Sequence, residues 1–329
     1  MSPTRPDAEP TRQATRAVGT TGPERPPRPP RRPLAIVGPT ASGKSDLALA
    51  LARRHPGTEL VSVDAMQVYR GMDIGTAKPT PAERAEVPHH LLDLAEPHEE
   101  FTVARFQAAV RTAVAGIEAR GGWPVLVGGT GLYLRAVVDE LAIPGRYPEV
   151  RAELDAEPDT ARLHARLAHL DPVAAARMEP TNRRRVVRAL EVTLGSGRPF
   201  SSYGPGLDTY PPTRYRLVGL AVSREVLDAR IAERVGRQLA AGWLDEVRRL
   251  AARPEGLSRT AAQALGYREL LDHLGGGCSL EEAVERTVSR TRRFARRQQR
   301  WFRRDPRIEW LDVDRAADRL PELAAGLEG

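Results

Sequence analysis

The sequence predicts an α/β fold with a parallel sheet, on three observations. Short apolar runs suit fully buried strands, helix-forming stretches separate them, and glycines or polar residues stand where the runs end. Residues 1–33 precede the first run; they are rich in Pro, Arg and Thr and cannot bury enough apolar area to order themselves, so a disordered tail with non-specific affinity for anions is expected. The tail has no apolar h-region, which argues against secretion. Leu34-Ala35-Ile36-Val37 is the first strand, and Asp46 to Arg54, rich in strong helix formers and closed by basic residues, the first helix. Glu59 to Val63 reads as a second strand, Leu91 to Leu94 as a weaker third, Phe101 to Arg120 as a helix and Pro124 to Val127 as another buried strand. From Ile143 to Arg198 the strand signal disappears, and Leu154, Leu163, Leu167, Leu170 and Val173 recur at helical spacing. Strand character returns at Tyr215 to Val222, helices follow over 224–250 and 279–304, and a last strand is expected at Ile308 to Val313. The resulting organisation is a core from 34–142 and 213–329, interrupted by a helical insertion at 143–212.

The chain of 329 residues is long enough to bury a sizeable core, and no stretch of 18 apolar residues suggests a membrane span. Its single cysteine, Cys278, can form neither an internal disulfide nor a cysteine-based zinc site, which fits a reducing cytoplasm. A formal charge of +7 favours polyanionic partners. Only Lys44 and Lys78 among the 50 basic residues are lysines. Lysine is a compact point charge that a planar arginine fork replaces poorly, so each of the two marks a demanding position.

Lys44 lies in Gly38-Pro39-Thr40-Ala41-Ser42-Gly43-Lys44-Ser45, which matches G-x-x-x-x-G-K-[ST]. In that pattern backbone N–H groups cradle phosphate oxygens, the lysine neutralises them and the last hydroxyl helps hold Mg²⁺. The order strand, glycine-rich loop, helix is the one the pattern requires, so the fold class is an α/β, P-loop NTPase-like parallel sheet core with a helical insertion domain. Ligands of open parallel sheets sit outside the carboxyl ends of the strands. Three such ends carry polar chemistry: the phosphate loop, Asp64 after the second strand, and Thr130 in Gly128-Gly129-Thr130-Gly131. Asp64 as a helix N-cap and Thr130 as a turn residue are the plainer alternatives. An aspartate beside a bound diphosphate can accept a proton or help hold a metal, so Asp64 alone does not choose the reaction.

Three segments resemble the bacterial tRNA dimethylallyltransferases, or isopentenyl-tRNA transferases: the phosphate-loop octet, Asp64-Ala65-Met66-Gln67-Val68-Tyr69-Arg70-Gly71-Met72-Asp73-Ile74-Gly75-Thr76-Ala77-Lys78-Pro79, and Leu126-Val127-Gly128-Gly129-Thr130-Gly131-Leu132-Tyr133. The likeness continues through Pro148-Glu149-Val150-Arg151, Asn182 to Val192 and Ala264-Leu265-Gly266-Tyr267-Arg268-Glu269-Leu270, in order, from about 34 to 312. It implies transfer of a dimethylallyl group from its diphosphate to N6 of adenosine 37 of certain tRNAs, with Mg²⁺ at Ser45; the loop pattern itself is nucleotide-binding, and nothing in the chain demands more than a cytoplasmic monomer. Asp64 would then be the general base and Thr130 its partner near the donor oxygen, with Gly38, Pro39, Thr40, Ala41, Ser42, Gly43, Lys44, Ser45, Arg230 and Arg234 on the diphosphate. Arg230 and Arg234 are four apart and share a helical face; pairing with Glu233 or Glu225 on a solvated surface is their plainer fate. By the same resemblance Asp64, Ala65, Met66, Gln67, Thr130, Arg151, Arg184, Arg185, Val186, Val187, Arg188, Gln263, Ala264, Leu265, Gly266, Tyr267 and Arg268 would touch the tRNA anticodon loop. The carry-over is firmest for the arginines, while Val186 and Val187 are better suited to packing. Against the commonest family pattern, Ala65 stands for a serine, Ser45 for a threonine, and Arg183-Arg184-Arg185 is unusually basic.

Arg290 to Arg304 holds eight arginines and no acid, interleaved with Phe294, Trp301 and Phe302. Phe294 and Trp301, seven apart, are expected to pack on the sheet, leaving arginines that repel one another unless an anion such as tRNA phosphate neutralises them. The adenosine would be extruded from its stack to reach the cleft. His89, His90 and His98 lack a convincing third metal ligand, and structural roles are expected for them. A small-molecule kinase, a prenyltransferase acting on AMP and a nucleotide-regulated RNA-binding protein share parts of this pattern, but leave the basic helix, the insertion or the chemistry without a task. Lys78, inside the family-like segment after Asp64, is expected in the same cleft as Lys44.

Overall fold

The computed structural model describes residues 32–313. The tail expected over 1–33 therefore lies outside the described residues up to position 31. Arg32 is already anchored, its guanidinium donating to the carbonyls of Thr213, Arg214 and Tyr215.

In chain order the elements are β1 (Leu34–Val37), α1 (Lys44–Arg54), β2 (Thr58–Val63), α2 (Pro81–Glu86), β3 (His89–His90), α3 (Val103–Ala119), β4 (Trp123–Gly128) and α4 (Gly131–Val138). Four helices follow without a strand: α5 (Pro148–Ala156), α6 (Thr160–Leu170), α7 (Pro172–Ala176) and α8 (Arg183–Ser196). Then come β5 (Arg216–Ala221), α9 (Arg224–Ala240), α10 (Trp243–Ala251), α11 (Arg259–Ala262), α12 (Tyr267–Leu274), α13 (Leu280–Phe302) and β6 (Ile308–Asp312). The six strands form one parallel sheet in the order β3-β2-β4-β1-β5-β6.

Side chains alternate across the strands, and the two faces bury separate cores. Leu34, Ile36, Leu60, Val125, Val218 and Leu220 pack with the apolar stripe of α1 on one face. Ala35, Val37, Val61, Val63 and Leu126 face the other, with Phe106 and Val110 of α3, Leu134 of α4, Tyr267 of α12 and Phe302 of α13. A third cluster is confined to the 148–200 segment, where α8 packs on α5 and α6 around Leu154, Leu163, Leu167, Val186, Val187 and Leu190. Leu170 and Val173, which share the helical spacing of that segment, are 37% and 48% exposed and lie outside its core.

The sheet differs from expectation at its edge. The third strand is His89–His90, not Leu91 to Leu94. Leu91 and Asp93 have φ of 65° and 58°, in the left-handed region where a strand cannot continue. The helix expected over 224–250 is broken into α9 and α10 at Gly242, whose φ of 93° admits glycine readily and turns the chain. By contrast α13 runs unbroken for 23 residues from a capping box in which Ser279 and Glu282 exchange hydrogen bonds.

Register fixes the working edge of the sheet. Both Val37 of β1 and Val63 of β2 stand opposite Gly128 of β4. The next residues, Gly38, Asp64 and Gly129, therefore leave three adjacent strands at one level; Thr40 to Ser45, Asp64 and Gly128 line one cleft, while Thr130, expected to face it, is not among its lining residues.

Candidate active site

The phosphate loop follows β1 and ends at Gly43, whose φ of 89° places it in the left-handed region before α1 starts. The N–H groups of Gly43, Lys44 and Ser45 meet no acceptor among the described residues, so the loop and the positive end of α1 present donors to an anion. Ser42 is fully buried, and its Oγ has no hydrogen-bond partner among the described residues.

Lys44 donates only to the carbonyl of Pro39 at 3.2 Å and makes no ion pair with a carboxylate among the described residues. Burial, with the Arg234 charge acting in the same direction, pulls its ammonium down from 10.5 to about 8, against the opposing pull of Asp64 and Asp46. Arg230 and Arg234 line the same cleft from α9. Neither pairs with Glu233 or Glu225; Glu233 lies 3.8 Å from Arg237 instead. Burial lowers the Arg234 guanidinium as well. Three cations without carboxylate partners around a ring of free N–H groups make a site whose electrostatics are completed by an anion.

Across this cleft of about 1020 Å³ lies Asp64. No helix starts at Asp64, so it is not an N-cap; its Oδ1 accepts from the N–H of Met66 at 2.8 Å and of Gln67 at 3.4 Å. This turn aims the carboxylate and leaves the second oxygen without a hydrogen bond among the described residues. Thr130 precedes α4, but its hydroxyl makes no cap; it accepts from the N–H of Ala65 at 3.4 Å and so ties the two strand-end loops together.

Gln298, which sequence reasoning did not select, sits between these loops. It is 7% exposed; its Oε1 accepts from the N–H of Thr40 at 2.9 Å and its Nε2 donates to the carbonyl of Gly129 at 2.8 Å. The glycines of Gly128-Gly129-Thr130-Gly131 follow from close approach: a Cβ on Gly128 would meet the Val63 carbonyl, one on Gly129 the Gln298 amide, and one on Gly131 the Trp301 ring. The sequence marks the pair Gln298-Gln299 among the arginines but does not tell which of the two reaches the loops.

The residues expected on tRNA divide by what their side chains already hold. Arg184, Arg185, Gln263 and Arg268 are exposed and make no side-chain hydrogen bond or ion pair among the described residues. Val186 and Val187 are fully buried in the core of the α5–α8 segment, so neither side chain reaches a ligand. Ala264, Gly266 and Tyr267 are buried too, and Tyr267 donates to Glu246 at 2.6 Å. Gln67 spends its amide on Ser62 and on the carbonyls of Thr76 and Ala77. Arg188 donates to Glu191 and to the carbonyls of Pro144 and Gly145, while Arg151 pairs with Asp155 at 2.8 Å; both brace α5–α8 in this state. Ala65, Met66 and Leu265 are half-buried.

The arginines of α13 are less naked than their count suggests. Arg290 pairs with Glu269, and Arg292 and Arg296 lie 3.8 and 3.9 Å from Asp228. Arg300, Arg303 and Arg304 are exposed and unpaired among the described residues. Its aromatics also part company. Phe302 is buried, Trp301 packs on Gly131, and Phe294 lines the cleft rather than the sheet, with Arg297 over its ring.

Lys78 lines the cleft wall but is spent. Its side chain is 1% exposed and its Nζ lies 2.7 Å from Asp73, 2.6 Å from Asp93 and 2.5 Å from the carbonyl of Tyr69. His89 Nδ1 lies 2.7 Å from the Val87 carbonyl and His90 Nε2 2.6 Å from Glu59.

Comparison with known proteins bears on this geometry. The IPP transferase family profile matches residues 67–305. A tRNA dimethylallyltransferase of Kineococcus radiotolerans is 56% identical over 296 residues, covering 87% of this chain and 92% of the relative. One from Streptomyces coelicolor is 51% identical, covering 89% and 95%. Among solved structures, a tRNA isopentenylpyrophosphate transferase of Bacillus halodurans is 39% identical with a TM-score of 0.66, over 91% of this chain and 97% of that one. A eukaryotic dimethylallyltransferase acting on tRNA aligns with a TM-score of 0.72 and 27% identity, over 86% and 74%.

Proposed function

The chain belongs to the IPP transferase family, and on that premise we propose that it transfers a dimethylallyl group from dimethylallyl diphosphate to N6 of adenosine 37 in tRNA, giving N6-(dimethylallyl)adenosine and diphosphate. The observation that carries this reading is the set of unpaired cations, Lys44, Arg230 and Arg234, gathered with free loop N–H groups opposite Asp64 in one cleft. In the reaction the allylic C–O bond breaks and its electron pair leaves with diphosphate. The cations and loop donors stabilise that departing charge. N6 of adenine forms the new C–N bond and loses a proton, for which the oriented carboxylate of Asp64 is the acceptor.

Ser45 lines the cleft and would contribute a hard hydroxyl oxygen beside this charge. That donor set fits Mg²⁺ held largely by the diphosphate itself, with Ser45 as its protein contact. When bound, the ion adds positive charge to the leaving group. Arg184, Arg185, Gln263, Arg268, Arg300, Arg303 and Arg304, free of internal partners, are assigned to tRNA. Arg151 and Arg188 would act by holding α5–α8 in shape.

The test incubates the protein with dimethylallyl diphosphate, Mg²⁺ and either unmodified tRNA or AMP, and reads N6-prenyladenosine by mass. Product with tRNA is expected; product with AMP alone would transfer the assignment to a free-nucleotide prenyltransferase, and none with either would sink it.

A further inference from the structure

We propose that Gln298 is a positioning residue that sets the distance between the diphosphate loop and the acceptor side of the cleft, an inference that rests on the reaction just assigned. The sheet brings β1 and β4 side by side, but the loops leaving them share no backbone hydrogen bond among the described residues. One side chain from α13, 258 residues from Thr40 in sequence, joins them. Gln298 accepts the N–H of Thr40 in the phosphate loop and donates to the carbonyl of Gly129, next to Thr130. Thr130 in turn holds the N–H of Ala65, next to Asp64. The diphosphate loop and the residue beside the proton acceptor are therefore joined by three hydrogen bonds and the intervening backbone of Gly129-Thr130 and Asp64-Ala65, with a single carboxamide bridging the first gap.

The chemistry of the link restricts the residue. It needs one donor and one acceptor at the same reach, which the carboxamide supplies without any change of protonation; an ionised glutamate offers acceptors alone and arginine donors alone. Asparagine would fall short by about 1.5 Å, the length of one methylene. Gln298 and Gln299 stand together between Arg297 and Arg300, and only Gln298 joins the two loops, Gln299 donating instead to the carbonyl of Val222. Gly129 is the other half of the device, because any Cβ there would occupy the space of the Gln298 amide nitrogen. The same helix exposes Arg300, and Arg303 and Arg304 are exposed in the turn that follows it, so the element that carries the link also carries part of the surface assigned to tRNA.

Misplacing one reactant by about an ångström costs on the order of 100-fold in rate. Gln298→Ala and Gln298→Met are therefore expected to lower kcat about 10- to 100-fold, with KM for dimethylallyl diphosphate and Kd for tRNA held within about threefold. Gly129→Ala, which evicts the amide, should show the same split, and the double variant Gly129→Ala with Gln298→Ala should lose no more than either single one. Gln298→Met keeps the buried volume and removes both hydrogen bonds, so it carries the test if Gln298→Ala does not fold. A Gln298→Met enzyme with the parent kcat, a loss confined to melting temperature, or single effects that multiply in the double variant would each overturn the proposal. Absence of product from the unaltered enzyme would defeat the proposed function instead, so the two failures are distinguishable.

Discussion

Lys44 and Lys78 line one cleft and live in contrasting surroundings. Lys78 has three oxygen partners within 2.7 Å, two of them carboxylates, and clips the segment after Asp64 to the turn at Asp93. Lys44 has a carbonyl at 3.2 Å, no ion pair among the described residues, and Arg234 acting on it against the weaker pull of Asp64 and Asp46. The fold neutralises one charge and leaves the other for something outside the chain. Scarcity marks both as geometrically demanding; only the partners tell a structural cation from a functional one.

The largest expected effect asks whether the region facing Lys44 is the reactive one. Asp64→Ala should lower prenyl transfer by about 10³-fold while tRNA binding is retained, because removal of a positioned base costs about 10²–10⁴-fold. Unchanged turnover would remove Asp64 from the chemistry. Lys44→Ala follows, with a loss of about 10²–10³-fold in kcat/KM for the diphosphate substrate, and Lys44→Arg should restore little of it because a planar fork does not fit the loop.

Lys78→Met should act on the other axis. It leaves Asp73 and Asp93 without their shared cation, so stability should fall by about 2–4 kcal/mol, discounted from the fully buried case because Asp73 is half exposed. Activity per folded molecule should stay within about threefold. Equal catalytic losses at the two lysines with unchanged melting temperatures would erase the contrast.

The contrast also has a pH signature. The folded value of Lys44 near 8 lies below its ordinary 10.5, so keeping it charged costs the empty fold stability below about pH 8. That cost is relieved as pH rises from about 8 toward 10.5, and the contribution of Lys44 to stability rises across the same window. Diphosphate binding has the opposite sign, because it needs the charged form. Affinity should fall by up to about tenfold per pH unit above 8, with proton uptake on binding measurable by calorimetry in buffers of different ionisation enthalpy. A pH-independent affinity between 8 and 10 would deny Lys44 its role. The smallest effect belongs to the surface: Arg304→Ala should reduce the salt dependence of tRNA binding by about one phosphate contact.

The motif, the parallel sheet, the order of its elements and the family likeness are legible in the chain because each rests on residues close together in sequence. The strand-ending Gly38, Asp64 and Gly129 also followed, since register in a parallel sheet brings carboxyl ends level. The failures share a cause. Leu91 to Leu94 is apolar enough for a strand, but Asp93 turns in the left-handed region to hold Lys78 and Arg84. In the segment Arg184 to Arg188 the valines pack as expected, yet only the packing of α8 separates Arg184 and Arg185, without partners among the described residues, from the braced Arg188.

What the sequence by itself determined is therefore chemical capacity: a loop able to hold phosphates, a carboxylate at a strand end, and a helix dense in positive charge. Tertiary structure decided which of these groups remain available. Lys78 is consumed by Asp93, Glu233 leaves Arg230 and Arg234 unpaired, and Gln298 reaches two loops from the far end of the chain, because ion pairing and buried hydrogen bonding depend on proximity in space that no spacing along the chain encodes.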